Sequence, residues 1–388
     1  MYPVLYKTDE TNFTSLGLGT LKDAISCLVT EERNGVYELE MEYPANGLHF
    51  DEMREGMLLK AKPNDTPKLQ LFRIYNIEKK FKKRIRIYAE HISYDLNNFP
   101  VDIVRTKITG PGTTPDMIWD NLIFDVHKSL PTERYSLLDL SRFSFSTDID
   151  TLGKIYVDHP CSVRSLLGGN EDSFLDVFRG EFEFDNYDII FHKNRGKDNG
   201  VTIKYGKNMT DFDLEISTEG MYTQVFPFAK KTTYPVTETT DANSNAVSYA
   251  EPKEEYVFAS ALSDRSSRLI QLEDSNGRLL KDVYGFERTK YLDLTGVFEG
   301  DYDIQESDVK TQAENYISTA TYIKEPKVTL TVSFQPLSSA VTDDITRRLE
   351  TVSLCDTVRV VYDLYGVDKK LKVNKTVYNV LQERYKSV

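Results

Sequence analysis

His159 and Cys161, in "DHPCS", are the nearest thing in the chain to a nucleophile beside its base. A thiol becomes a nucleophile when an imidazole within hydrogen-bond reach takes its proton. The two partners usually come from distant segments, so a pair two positions apart reads better as a loop histidine and a small buried cysteine. No GxSxG elbow occurs. A second candidate is "EERNGVYELEMEYP", where Glu38, Glu40 and Glu42 stand at every second position. On a strand such residues share one face, about 7 Å apart. That spacing is too wide for one metal ion and fits a solvated face. With 61 acidic residues in the chain, chance carboxylate pairs are common and identify no glycosidase pair.

Metal and phosphate motifs fare no better. The five histidines form no HxH or HExxH pair and there is no CxxC, so a zinc site lacks its ligands. "DIDTLGKIYVDH" begins like a calcium loop, with Asp148, Asp150, Gly153 and Ile155 at positions 1, 3, 6 and 8. Leu152 then takes position 5, and His159 takes position 12, where a bidentate Glu belongs. "DYDIQESD", from Asp301, lacks the glycine. "LGLGTLK" has Gly17 and Gly19, but Lys22 stands where a dinucleotide fingerprint needs glycine. "GVTIKYGKN" imitates a phosphate loop with one residue too many between Gly200 and Gly206, and Asn208 replaces the magnesium-holding Ser/Thr. The six cations of "KKFKKRIRI", Lys79 to Ile87, suit a hairpin turn guarding a sheet edge, with phosphate or an acidic partner as the other reading. No catalytic, metal or cofactor-binding residue is therefore assigned, and no cofactor is expected.

The elements that would position such residues are mostly strands. "AISCLVTEERNGVYELEMEY" reads as a hairpin turning near Asn34-Gly35. Tyr37, Leu39, Met41 and Tyr43 then face a core opposite the glutamates. "LFRIYNIEKKFKKRIRIYAEHISYDL" reads as a second hairpin around the basic turn. Pro100 and Gly110-Pro111-Gly112 break the pattern and set a boundary. Helical spacing follows in "TTPDMIWDNLIFDVHKSL", with Thr114, Pro115 and Asp116 as start signals. Short helices in "SVRSLLGG" and "DSFLDVFRG" precede strands in "EFEFDNYDIIFHK" and "VTIKYGK". Residues 231 to 255, rich in Thr, Asn, Ser and Pro, read as a loop or linker. A helix from about Ser307, stopped before Pro326, leads to C-terminal strands.

Composition bounds the class. A chain of 388 residues with 28% charged and 40% hydrophobic residues has room for two to four folded domains. Its net charge of -13 is opposite to that of a protein gripping DNA by its phosphates. "MYPVLYKTDE" has no basic start followed by a long apolar run, and no apolar stretch approaches 18 residues. Cys27, Cys161 and Cys355 are far apart and odd in number, which fits synthesis in a reducing cytoplasm without a disulfide framework.

Several stretches, taken in order, resemble one family. They are "VTEERNGVYELEMEYP", "FRIYNIEKKFKKRIRIYAEHISYDL", "VRSLLGGNEDSFLDVFRGEFEFDNYDIIFHKNRG", "VTIKYGKNMTDFDLEI", "YTQVFPFA" and the closing "VSLCDTVRVVYDLYGVDKKLKVNKTVYNVLQERYKSV". The set is similar to the N-terminal baseplate-hub module of siphophage tail-tip proteins, the tail-associated lysin or prophage endopeptidase tail family. The resemblance implies an α+β, mainly β fold like the central hub of contractile-tail phage baseplates, with two β-barrel-like domains and smaller inserted α+β domains. It implies hub domain 1 over 1–100, an α+β insert over 101–221, a returning strand and linker over 222–260, a small α+β insert over 261–327, and closing strands of hub domain 2 over 328–388. It implies a homotrimer at the virion tail tip beneath the distal tail protein ring, with the tape measure protein and the host cell surface as further partners. DNA would pass through the lumen without specific binding. The family's lytic activity sits in C-terminal extensions, and no residue here matches a catalytic motif, so a non-enzymatic structural protein is expected. The alternatives are a cell-wall-degrading or a carbohydrate-binding tail-tip protein.

Overall fold

The computed structural model describes residues 1–81, 83–101, 113–121, 140–153, 155, 159–169, 173–233, 239–240, 246–247, 252–260, 268–298, 303–334 and 351–388. The chain divides into two units. One is Met1–Phe212 with Thr331–Val388; the other is Asp213–Leu330.

The larger unit is organised by a nine-stranded sheet. Its first seven strands are β1 (Val4–Tyr6), β2 (Gly19–Thr20), β3 (Ser26–Glu32), β4 (Tyr37–Pro44), β5 (Leu58–Ala61), β6 (Gln70–Lys80) and β7 (Arg84–His91). They lie in the order β2-β1-β5-β6-β7-β4-β3, and the C-terminal strands Lys375–Asn379 and Arg384–Ser387 complete the sheet beside β3. Alternation explains which side is covered. Tyr37, Leu39, Met41 and Tyr43 of β4 are buried, as are Ile85, Ile87 and Ala89 of β7. The sheet curls toward closure: Lys62, just past β5, is 3.0 Å from Glu383 in the turn of the last hairpin, and the Met1 nitrogen donates to Val380 O at 3.2 Å.

Both expected hairpins are present. β3 and β4 pair from Ser26↔Glu42 to Glu31↔Tyr37, and β6 pairs with β7. Asn34 takes a left-handed φ of 56° in the first turn, and its side chain does more than turn the chain. Its Nδ2 donates to Gly180 O at 3.1 Å, and its Oδ1 accepts from Phe182 N at 2.8 Å, clasping the strand Glu181–Asp185. Asn34→Ala should cost about 2–3 kcal/mol, from two lost hydrogen bonds plus a strained backbone. Asn34→Gly, which relieves only the backbone, should recover about 1 kcal/mol. Denaturant midpoints of the two variants check this, and equal losses would contradict it.

Between the first strands and the last lies a second core of the same unit. The chain is helical from 115 to 121, and short helices Val163–Gly168 and Phe174–Phe178 are each capped by a serine, Ser162 and Ser173. The hairpin Glu181–Asp185/Asp188–His192 runs antiparallel, with Ser144–Thr147 added parallel to it. Trp119 stacks on Phe145 at 5.1 Å and Phe182 on Phe191 at 4.3 Å within this aromatic core. Burial of such rings supplies most of its cohesion. Farther along, Thr202–Lys204, Thr357–Tyr362 and Val367–Lys372 form a three-stranded sheet.

The second unit centres on the strand Gln224–Thr233. It pairs with Lys253–Phe258 and Ile270–Gln271 antiparallel and with Thr289–Asp293 parallel. The helix Glu306–Thr319 carries a capping box of Gln305 and Asp308, and its Val309 and Ala313 join Val225 and Ala229 in the core. Here the linker expected over 231–255 is corrected. Lys231 to Thr233 pair with Glu255 to Lys253, and Thr239–Thr240 pairs with Ala246–Val247. The described parts of this stretch, poor in aliphatics, are held by these ladders and by ion pairs such as Lys230–Glu254 at 2.6 Å. The same Thr-rich composition serves a solvated ribbon as well as a loop.

Candidate functional site

A cleft of about 570 Å³ opens in the larger unit, and its walls come from four separate parts of the chain. β3 and β4 supply Glu31 and Tyr37, the loop before β6 supplies Asp65 and Lys68, the Glu181–His192 hairpin and its exit supply Glu183 and Arg195, and the C-terminal part supplies Ser353 and Asp356. Its floor is a row of charges. Arg195, with its side chain 13% exposed, donates Nη2 to Glu31 Oε1 at 3.0 Å and Nη1 to Phe182 O at 3.0 Å. Its Nε lies 4.0 Å from Glu183 Oε2. Burial pushes the Glu31 carboxyl up, while the guanidinium beside it pulls the other way.

The row continues to both sides. Glu181 accepts from Lys372 Nζ at 2.6 Å, from Arg195 N at 2.7 Å and from Arg33 Nη1 at 3.2 Å. Burial would raise its carboxyl, but these donors outweigh it and hold it below the usual range. Glu183 lies below the usual range through its hydrogen bond with His192 at 2.8 Å. Asp356 accepts from Lys197 N at 2.7 Å and from Ser353 N at 2.8 Å, fixing the C-terminal wall. A lone buried charge costs several kcal/mol, so this row is favourable only once β3, the Glu181–His192 hairpin with its exit, and the C-terminal part have come together. What it does chemically is neutralise charge at a joint.

His91 stands behind the cleft. It is fully buried, stacked on Tyr37 at 4.3 Å, with Gln70 Oε1 3.0 Å from Nε2 and Ser93 Oγ 3.0 Å from Nδ1. Burial, aided by the charge of Arg164, holds its pKa well below 6.5. The unfolded chain therefore takes the proton first. This group's contribution to stability is whole above about pH 6.5 and is lost as pH falls, by about 1.4 kcal/mol per unit until the folded ring itself protonates. Denaturation of wild type and His91→Gln at pH 7.5 and 5.5 tests this. The variant should lose part of the pH dependence; identical slopes would contradict the assignment.

The residues singled out from the sequence lie outside this cleft. Glu38, Glu40 and Glu42 are on the open side of the sheet, opposite the buried face of β4. They meet the basic hairpin: Arg86 reaches Glu42 at 2.8 Å and Glu40 at 3.3 Å, and Arg84 reaches Glu42 at 3.7 Å. These are solvent-screened surface pairs. Cys161 pairs with Val101 in a two-stranded ladder, and His159 is exposed just before it. Asp148 accepts from Lys193 N at 2.6 Å. Gly153 bridges to Thr113 and Ile155 is buried, while 154 and 156–158 of this stretch lie outside the described residues. Thr202–Lys204 is a strand inside the imitation phosphate loop, where Asn208 closes the turn by accepting from Lys204 N and donating to Thr202 O. The "DYDIQESD" candidate begins outside the described residues. Among the described residues no three His, Cys, Asp or Glu side chains gather as a metal shell. Burial raises the Cys355 thiol to about 11 and the Cys27 thiol further, so neither is a ready nucleophile.

Sequence reasoning passed over the joint itself. One signal was available: in β3, Cys27, Val29 and Glu31 share the buried face, so alternation already placed a carboxylate inward. Its partner, Arg195, had no comparable signature.

No protein-family model matches the chain, and no curated protein sequence matches it. Solved structures do. The chain is similar to prophage tail protein gp18 from Listeria monocytogenes EGD-e, with a TM-score of 0.50 at 13% identity over 97% of this chain and 90% of that one. It is similar to the 43 kDa tail protein of prophage MuSo2 from Shewanella oneidensis, with a TM-score of 0.51 at 8% identity over 98% and 94%. It is also similar to the tail protein from Neisseria meningitidis MC58, with a TM-score of 0.51 at 7% identity over 99% and 94%. The fold is thus a mainly β fold shared with prophage tail proteins. Among the described residues no helix is long and apolar enough to cross a membrane.

Proposed function

We propose that this chain is a structural protein of a phage tail tip, the hub that closes the tail tube. The observation that carries the reading is the likeness of fold to three solved tail proteins, two of them from prophages, over at least 90% of each chain. The ordered sequence stretches that resemble the tail-tip family support it, as does a curled sheet built from both termini of the chain. In this reading three copies form a ring beneath the distal tail protein, below the tape measure protein, and part to let DNA through. A net charge of -13 suits a passage that phosphate must not adhere to. The reading gives the chain no catalytic step.

Light scattering of the chain, alone and with a distal tail protein, tests this. The expected result is a particle of about three times 44.6 kDa, or a monomer that trimerises and co-elutes with that partner. A strict monomer that ignores the partner would overturn the reading.

A further inference from the structure

The second unit's sheet buries one face and leaves the other open. Val225 and Ala229 of the strand Gln224–Thr233 point into the core with the helix Glu306–Thr319. Alternation sends Gln224, Phe226 and Phe228 to the opposite face. Register places Phe258 across from Phe228 and Tyr291 across from Phe226, and cross-strand partners share a face. Tyr256, two residues before Phe258, joins them.

The rings form one continuous band. Phe226 lies 5.6 Å from Phe258 and 5.8 Å from Tyr291, and Phe228 lies 5.9 Å from Tyr256. Tyr256 is 61% exposed and Tyr291 72%. An aromatic band of this extent is costly to leave in water and marks a binding surface.

Unmade hydrogen bonds at this band state what kind of ligand it takes. Arg268 is only 7% exposed, with its guanidinium 4.3 Å from the Phe258 ring centroid. Its Nε and Nη2 have no hydrogen-bond partner among the described residues. At the other end, Gln271 Nε2 donates to Gln224 Oε1, and Gln224 Nε2 donates to Thr289 Oγ1, both at 2.8 Å. That chain leaves Gln271 Oε1 a buried acceptor without a partner among the described residues. Two donors and an acceptor, each costing about 1–3 kcal/mol while unmet, lie along the side of the apolar platform that Lys253–Phe258 and Ile270–Gln271 form.

A ligand that fits must stack an apolar face and both donate and accept at its rim. Hydroxyl groups do both, and the C–H face of a pyranose ring carries the slight positive charge that the negative face of an aromatic ring attracts. A purely anionic ligand would satisfy Arg268 alone. It would also meet Asp293, which register places on the same face beside the Lys230–Glu254 pair.

We infer that the open face of this sheet is a saccharide-binding site, with Tyr256 and Tyr291 as the stacking platform and Arg268 and Gln271 as the polar rim. The site is independent of how the larger unit assembles, so its test stands apart from that of the hub reading.

The probe is an array of neutral, N-acetylated and acidic oligosaccharides, with a single-stranded oligonucleotide alongside, read with the full chain. Wild type should retain one or more neutral or N-acetylated oligosaccharides. Tyr291→Ala and Tyr256→Ala should each weaken retention about tenfold with an unchanged unfolding midpoint, because both rings are open to solvent. Arg268→Lys, which keeps the charge but loses the planar fork, should weaken it too. The proposal is overturned if wild type retains no oligosaccharide, if retention survives both tyrosine variants, or if only acidic glycans or the oligonucleotide bind. It is equally overturned if the tyrosine variants disperse self-association of the chain, which would make this face an interface between copies.

Discussion

Arg195→Ala is expected to lower the stability of the larger unit by about 3–5 kcal/mol, among the largest losses available to a single substitution. The side chain is a single bolt through three segments. It holds Glu31 of β3, the carbonyl of Phe182 and, at longer range, Glu183. Removing it leaves the Glu31 carboxylate, 7% exposed, without its neutralising partner. The size of the loss measures that stranded charge more than the net worth of the pair. A second variant separates the two: Glu31→Leu with Arg195→Met removes both charges and keeps the volume. The double variant should recover most of what Arg195→Ala loses. Denaturant unfolding followed by tyrosine fluorescence reads both. A loss under about 1 kcal/mol for Arg195→Ala would mean that water already reaches the pair and that it is an ordinary surface bridge.

Gly196→Ala is the second large effect, and it acts one residue away through the backbone. Gly196 has a φ of +89°, and a Cβ there would stand 2.1 Å from the Cys355 carbonyl oxygen. Backbone cannot step aside as a flexible side chain can. Asp356, just before the strand Thr357–Tyr362, and Lys197 are already tied by a 2.7 Å hydrogen bond. Left-handed strain costs about 1–3 kcal/mol, and a forced shift of packed structure about as much again. Gly200 is the control, because its φ is +73° but a Cβ there would meet nothing within 4 Å. Gly200→Ala should therefore cost only the backbone part, about 1 kcal/mol. Gly196→Ala should exceed it by about 2 kcal/mol or more. Equal losses would show that the close approach to Cys355 carries no weight.

Much of this fold is legible locally, and the joint is not. Tyr37, Leu39, Met41 and Tyr43 alternate with glutamates, and the strand they form faces as that pattern requires. Asn34-Gly35 turns the first hairpin, and Ser162 and Ser173 cap the helices that follow them. Those signals depend on neighbours within a few positions. The pairing of Lys375–Asn379 with β3, from opposite ends of the chain, depends on no local pattern. Nor does the meeting of Arg195 with Glu31 and of Lys372 with Glu181. Surface and buried charges read alike in a sequence with 61 acids and 48 bases. The open aromatic face of the second unit was hidden for a related reason. "KEEYVF" begins inside the stretch read as a linker, and only the register shows that Phe226, Phe258 and Tyr291 share the uncovered side.

The most direct test of the tail-tip account is where the chain stands in an assembled particle. If the account holds, cryo-electron microscopy of phage tails assembled with this chain should place three copies in a threefold ring at the end of the tube, immediately below the distal tail protein. Density for the chain elsewhere on the particle, or its absence from purified tails, would contradict the account.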